Sequence, residues 1–282
     1  MKNRKIKTFI NEMKNDKWAI LALVILSIIT ISAIFAFLSP YDPDKIDLSI
    51  KHSPPSLSHP FGTDSFGRDY FTRALYGARV SLIVGLCSML ISSFIGIFVG
   101  VISGYFGGAI DFISMRIVEI ITSIPWMVLV IVISIFLNSG LFSIIILIGF
   151  FSWMKIARLI RAEVLSLKER EYILYAISSG QSTFKIIIKH IIPGVFPLFI
   201  VSSSLGIASA IMVESTLSFL GYGITPPNSS WGTMIQSSQS TLTIYPYLSI
   251  IPGALIFLTI FSINKLGQVL RISIEPKAGG SR

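Results

Sequence analysis

Three histidines, one cysteine and a few scattered carboxylates are all that this 282-residue chain offers for catalysis or metal ligation. His52 and His59 are close enough in sequence to share an ion, but no cysteine lies near them and His190 is far away. Zinc sites draw three or four such ligands, so a surface role outweighs metal binding and no metal site is expected. Cys87 lies alone in an apolar run, forms no internal disulfide, and fits the role of a small buried apolar group. No Ser–His–Asp set and no H-E-x-x-H pair occurs, which argues against an intramembrane protease. No G-x-x-x-x-G-K-[ST] phosphate loop occurs either. The glycines Gly104, Gly107 and Gly108 lack its lysine and read as a turn ending a helix. The chain is expected to be no enzyme and to bind no cofactor itself.

Three other stretches could carry mechanism. Residues 153–193, WMKIARLIRAEVLSLKEREYILYAISSGQSTFKIIIKHIIP, read as two short helices with a break. Gly180 can take the left-handed conformation that ends the first, and Ser182 can cap the second. On the second, Phe184, Ile187, Ile188 and Ile191 share a face, with Lys185 and Lys189 opposite. Such helices suit a groove on a cytoplasmic partner, or equally a lipid surface. In the second stretch, Gly62, Thr63, Asp64, Gly67, Arg68 and Asp69 look like a compact turn. Asp64 or Asp69 can accept backbone amides there or pair with Arg68; a structural plug outweighs substrate contact. In the third, Glu214 ends an apolar run, an expensive place for a carboxylate. Pairing with a partner subunit and lining a pathway both remain open for it.

The elements that must position these residues are set by solvent. The chain is 52% hydrophobic and 13% charged, with a mean hydropathy of +0.77. No Asp, Glu, Lys or Arg occurs between Lys17 and Asp42, Arg79 and Asp111, Glu119 and Lys155, Lys189 and Glu214, or Glu214 and Lys265. Hydrocarbon selects such gaps. About twenty apolar residues cross a bilayer as a helix. Six stretches qualify: 18–39, 81–103, 118–137, 141–159, 193–213 and 247–265, with a tight turn at Asn138, Ser139 and Gly140. Pro125, Pro193, Pro197 and Pro252 lie in or near spans, where proline can kink a helix. The run from Trp18 to Leu38 is too long for a signal peptide and reads as a retained anchor. An inside N-terminus leaves all but five of the 23 lysines and arginines on the cytoplasmic side, which places both termini there. The net charge of +9 is then the cytoplasmic flank of membrane helices, and no nucleic acid partner is expected. The predicted organisation is an all-α membrane protein: a cytoplasmic tail 1–17, a first helix 18–39, an outer loop 40–76, a core 77–268 and a cytoplasmic tail 269–282.

The 153–193 stretch resembles the EAA loop of ABC importer permeases, whose pattern is E-A-A, three residues, Gly, nine residues, then I-x-L-P. Ala176, Gly180, Ile192 and Pro193 match in place or in kind. Leu174 and Tyr175 stand where the first Glu and Ala would be, and His190 replaces the Ile. The flanks are similar to the dipeptide, oligopeptide and nickel permeases: HPFGTDSFGRDYFTRALYGARVSL (59–82), GYFGGAIDFISMRIVEIITSIP (104–125), ARLIRAEVLSLKEREY (157–172), ESTLSFLGYGITPPNSSWGTMI (214–235) and GQVLRISIEPK (267–277). The likeness covers nearly all of 40–277 and is nearest the C-type subunit.

This resemblance implies a type I importer permease fold with a cytoplasmic coupling-helix loop, in a prokaryotic cytoplasmic membrane. The partners implied are a second permease subunit, two cytoplasmic ATPases that carry ATP and Mg, an extracytoplasmic substrate-binding protein and lipid. Leu174, Tyr175, Ala176, Ile177 and Ser178 would form the knob that enters an ATPase groove, with Glu169, Arg170 and Glu171 at its rim. Gly180 would be the sharp turn where a side chain clashes or straightens the chain, and Pro193 the end of the motif. Gly180→Asp is then expected to abolish transport without preventing insertion. Peptides lead as cargo, followed by nickel or a metal chelate, then glutathione. A secondary transporter or channel acting alone is a more distant alternative.

Overall fold

Backbone amides find no partner in hydrocarbon, so apolar runs of this length close their hydrogen bonds internally as helices. The computed structural model describes residues 2–137, 140–225 and 227–274. Among these residues the regular structure is helical, apart from one isolated bridge between Thr63 and Asp69. Five stretches are long and apolar enough to span a membrane: Lys17–Ile34, Tyr70–Phe106, Leu141–Lys168, Thr183–Phe219 and Tyr247–Ser273. A sixth crossing requires the bent pair α4 (Gly108–Ser123) and α5 (Trp126–Phe136), which meet at 83°. The span predicted over 118–137, where Pro125 can kink a helix, is therefore broken into two helices. Proline lacks an N–H and disfavours helix in the residue before it; Ile124, ahead of Pro125, is extended with ψ 133. Of the turn expected next, Asn138 and Ser139 lie outside the described residues.

Other boundaries move for local reasons. The predicted tail 1–17 contains α1 (Lys2–Asn15), whose Phe9 and Met13 pack against Leu266 and Val269. Asp16 caps α2 (Lys17–Ile34), accepting the amides of Trp18 and Ala19, and takes Lys265 Nζ at 2.7 Å. Hydrogen bonding to Lys265, the largest influence, holds the Asp16 carboxyl below its usual range. The last residues of the predicted loop 40–76 are already helical, because the Asp69 carboxylate caps α3 (Tyr70–Phe106) on the amide of Thr72 at 2.7 Å. Beyond α3 follow α6 (Leu141–Lys168), α7 (Glu171–Ser178), α8 (Thr183–Ile186), α9 (Ile192–Phe219), α10 (Trp231–Ser238) and α11 (Tyr247–Ile274). The predicted tail 269–282 thus begins inside a helix, and 275–282 lie outside the described residues.

The centre of the chain is the pairing of α3 with α6. Along α3, Ser88, Ser92, Gly96, Gly100 and Gly104 recur every fourth residue and are all buried. This stripe lets two backbones approach closely. A Cβ on Gly96 would stand 2.7 Å from Ile156 Cβ, one on Gly100 2.7 Å from the Ala157 carbonyl, and one on Gly104 2.8 Å from Val164 Cβ. Gly100→Leu is accordingly expected to force α3 from α6 at a cost of roughly 1–3 kcal/mol. Thermal unfolding of the detergent-solubilised chain measures this, and an unchanged midpoint would refute the close approach.

Candidate coupling surface, loop cap and buried carboxylate

The helix α6 leaves the apolar region and continues as far as Lys168, whose ammonium caps the end of α3 on the Tyr105 carbonyl at 2.6 Å. Arg161 holds Asp111 of α4 through two bonds of 2.5 and 2.6 Å. Glu169 ends α6, Arg170 is extended (ψ 137), and α7 starts at Glu171. All three are exposed. The short helix is anchored from within: Ile173 and Ala176 are buried with Val164, Leu167, Ile186 and Ile191. Its other face is bare. Tyr172, Leu174, Tyr175 and Ile177 are exposed, Tyr175 at 74%. Of the predicted knob, Leu174, Tyr175, Ile177 and Ser178 therefore point outward, whereas Ala176 is an inward anchor.

Gly180 ends α7 at φ +74. Its amide bonds the Ile177 carbonyl at 3.0 Å, and the Gln181 amide bonds that of Ala176 at 3.1 Å. These two bonds form a Schellman cap, which needs the left-handed residue. The expected clash of a side chain is corrected: among the described residues, no atom beyond its two chain neighbours lies within 4 Å of an added Cβ. What the position requires is the backbone conformation. Ser182 occupies the cap position before α8, but its side chain makes no capping bond. The face predicted for Phe184, Ile187, Ile188 and Ile191 is also corrected. Residues Ile187–Ile191 form a π-turn, so the buried pair is Ile186 and Ile191, while Phe184 and Ile188 are exposed. The wider turn shifts register by one position, a shift that helical spacing from sequence cannot anticipate. Pro193 follows directly on the π-turn inside the continuous helical stretch Thr183–Phe219, where it donates no N–H to the preceding turn.

On the opposite side the loop 40–69 folds into a cap. Thr63, Asp64 and Asp69 are buried, with Gly62 just before them and Gly67 among them at positive φ. Asp64 accepts the amides of Phe66 and Arg68 at 2.8 and 3.0 Å and the Arg68 guanidinium at 2.7 Å. Asp69 takes His59 Nδ1 at 2.8 Å. The Thr63 hydroxyl donates to the Ile50 carbonyl. A Cβ on Gly67 would stand 1.7 Å from the Asp47 carbonyl oxygen. His52 stacks on Tyr245 with centroids 4.4 Å apart. Burial, the leading cause, and Lys51 push its pKa down, while Asp64 pulls the other way. Trp231 of α10 donates to the Ala74 carbonyl at 3.1 Å, joining this cap to α3. Among the described residues no group of three or more His, Cys, Asp or Glu could hold a metal.

Glu214 is fully buried inside this chain, which answers neither of the two alternatives left open for it. Its carboxylate accepts Ser218 Oγ at 2.8 Å, Ser81 Oγ at 3.1 Å and Ser215 Oγ at 3.3 Å, with Ser230 as a further donor. One side chain thus ties α9 to α3 and to the cap of α10. The serine cage went unread in the sequence because Ser81 and Ser230 are far from Glu214 along the chain. The small-residue stripe on α3 went unread too, although its four-residue spacing is a signal that could have found it.

The comparisons agree with this architecture. Residues 96–277 match the binding-protein-dependent transport system inner membrane component family. Residues 6–55 match the N-terminal TM domain of oligopeptide transport permease C. The oligopeptide transport system permease protein OppC of Bacillus subtilis (strain 168) is 38% identical, over 94% of this chain and 87% of its own length. The dipeptide transport system permease protein DppC of the same organism is 39% identical, over 94% and 83%. OppC of Escherichia coli (strain K12) is 40% identical, over 93% and 88%. With apolar helices that cross the membrane several times and a family match over most of its length, the chain belongs to the binding-protein-dependent inner membrane components, the permease subunits of ABC transporters.

Proposed function

We propose that this chain is the C-type permease of an ATP-driven importer, forming half of a path for peptides across the cytoplasmic membrane of a prokaryote. Both termini and α7 face the cytoplasm, as the distribution of lysine and arginine supports. The observation that carries the reading is the bare apolar face of α7, held rigidly by Ile173 and Ala176 and closed by the cap at Gly180. A short rigid helix with exposed aromatic and aliphatic side chains fits a groove on a soluble partner. Two ATPase subunits, holding ATP and Mg, supply that groove, and their closure pushes α7 and through it α6. A second permease completes the pathway, and an extracytoplasmic binding protein delivers cargo to the outer cap. No chemistry is assigned to the chain itself, and the alternatives of nickel, a metal chelate or glutathione gain no support from the described residues. Peptide is favoured because the similar relatives named above carry oligopeptide or dipeptide in their names.

The test is extraction in mild detergent, identification of the co-purifying subunits, and peptide uptake by vesicles containing the complex. Uptake that requires ATP and the partners supports the reading; uptake by the chain alone without ATP refutes it. Tyr175→Ala is expected to weaken ATPase association by about thirtyfold, as loss of a hot-spot aromatic worth roughly 2 kcal/mol does. Unchanged co-purification by this variant would remove α7 from the interface.

A further inference from the structure

We infer that Arg158 and Arg161 are positioning residues of the transport cycle: they clamp α4 to α6, so that α4 and its corner at Pro125 pass the stroke of α7 on to α5. The inference rests on the coupling role proposed for α7 above. The helix α6 is one unbroken lever of about 42 Å, and α7 follows its end. Arg161 lies about 10 Å before that end at Lys168. Its guanidinium takes both oxygens of Asp111, through Nε at 2.5 Å and Nη2 at 2.6 Å. A two-bond pair of this kind fixes orientation as well as distance. Arg158, one turn earlier, donates Nη2 to the Thr122 hydroxyl at 2.7 Å. The two arginines stand about 4.5 Å apart along α6, whereas Asp111 and Thr122 stand about 16 Å apart along α4. The arginines therefore reach in opposite directions and hold α4 near both of its ends.

Little else holds α4 in place. Among its described residues only Val118 is buried, against Trp153, Met154 and Ala157 of α6. The helix also hangs between two breaks. Gly107 and Gly108 open it at φ +66 and +54, and among the described residues nothing beyond the chain neighbours lies within 4 Å of a Cβ added to either. Extended Ile124 and then Pro125 close it. Each side of the corner satisfies its own backbone. The Ser123 hydroxyl donates to the Ile120 carbonyl at 2.7 Å, and α5 starts anew with the Val128 amide on the Pro125 carbonyl at 2.9 Å. A rigid bar between two hinges follows a moving part only where something ties it there. The two arginines are those ties. Beyond the corner, α5 buries Val130 with Ile144 and Ile148 of α6, while Val128, Val132 and Ile135 are exposed. A pair that only stabilised the fold would not need to grip both ends of a helix bounded by hinges; a transmission does.

The experiment measures ATP hydrolysis and uptake of a labelled tripeptide mixture by the same vesicles, which contain the whole transporter with its ATPases. Arg161→Gln is expected to keep subunit association and ATP hydrolysis within about twofold of wild type. Its uptake per ATP is expected to fall about tenfold, the lower end of what a lost charge-assisted bond is worth. Thr122→Val keeps the side-chain shape and loses one bond, so its ratio is expected to fall about threefold. Exchanging the charges, Asp111→Arg with Arg161→Asp, is expected to restore at least about half of the wild-type ratio. A second measurement needs no cargo: nitroxide labels on cysteines at Val132 of α5 and Phe150 of α6, both exposed, in a Cys87→Ser background. ADP with vanadate, which traps closed ATPases, is expected to shift the label distance, and Arg161→Gln to abolish the shift. Uptake and hydrolysis that fall together would make the pair merely structural and overturn the proposal. An unchanged ratio, a charge exchange that restores nothing, or a label distance indifferent to vanadate or to Arg161→Gln overturns it too. Wild-type vesicles without ATP run alongside; uptake by them refutes the importer reading and is seen separately from a failure of the clamp.

Discussion

Gly180→Val is expected to reduce ATP-driven uptake by at least about tenfold while the chain remains inserted and α6 and α9 stay packed. The residue sits at φ +74, where a β-branched side chain costs roughly 1–2 kcal/mol and so depopulates the turn about tenfold. The cap bonds from Gly180 and Gln181 then break, and α7 loses its fixed end. Space is no obstacle within this chain, so Gly180→Asn, which tolerates the left-handed region, is expected to retain most uptake. The abolished transport first expected for Gly180→Asp is thereby revised to a loss between these two, because the position demands a backbone conformation that Asp partly tolerates and not empty space. Uptake by reconstituted vesicles, normalised to the inserted amount, measures the series. Equal loss in the Asn and Val variants would mean that a partner subunit touches the α-carbon; wild-type uptake by Gly180→Val would end the coupling role of this turn.

Glu214→Ala is expected to cost on the order of 3 kcal/mol, the upper end of the range for leaving buried neutral polar groups without their partner. The hydroxyls of Ser81, Ser215, Ser218 and Ser230 lose their common acceptor in a fully buried site, and each unsatisfied group carries a penalty. For a chain of this size the midpoint of thermal unfolding should fall by roughly 10 °C. Glu214→Gln retains an acceptor oxygen and the volume, and serine hydroxyls can rotate to accept its amide, so its midpoint should stay within a few degrees of wild type. Tryptophan fluorescence of the detergent-solubilised protein reads both variants, since Trp231 sits in the cap that Ser230 begins. An Ala variant as stable as wild type would show that the cage does not join α9 to α10. A Gln variant as damaged as the Ala one would make the negative charge itself the requirement.

The sequence by itself determined the membrane class and nearly every crossing, because the cost of charge in hydrocarbon leaves uncharged runs that can be read without coordinates. It also determined the left-handed turn at Gly180 and the compact loop around Asp64 and Asp69, since glycine and aspartate act on backbone within a few residues of themselves. Only the tertiary structure decided that Ala176 anchors α7 while Leu174 and Tyr175 face out, because Ile173 and Ala176 pack against Val164, Leu167, Ile186 and Ile191 of other elements, and that the π-turn at Ile187–Ile191 leaves Ile188 exposed. Only the tertiary structure turned the predicted third span into an 83° corner, because Pro125 permits a break without fixing its angle. The same holds for Glu214 and for the clamp on α4. Their partners, Ser81 and Ser230 in one case and Arg158 and Arg161 in the other, are distant in the chain, and packing alone brings them together.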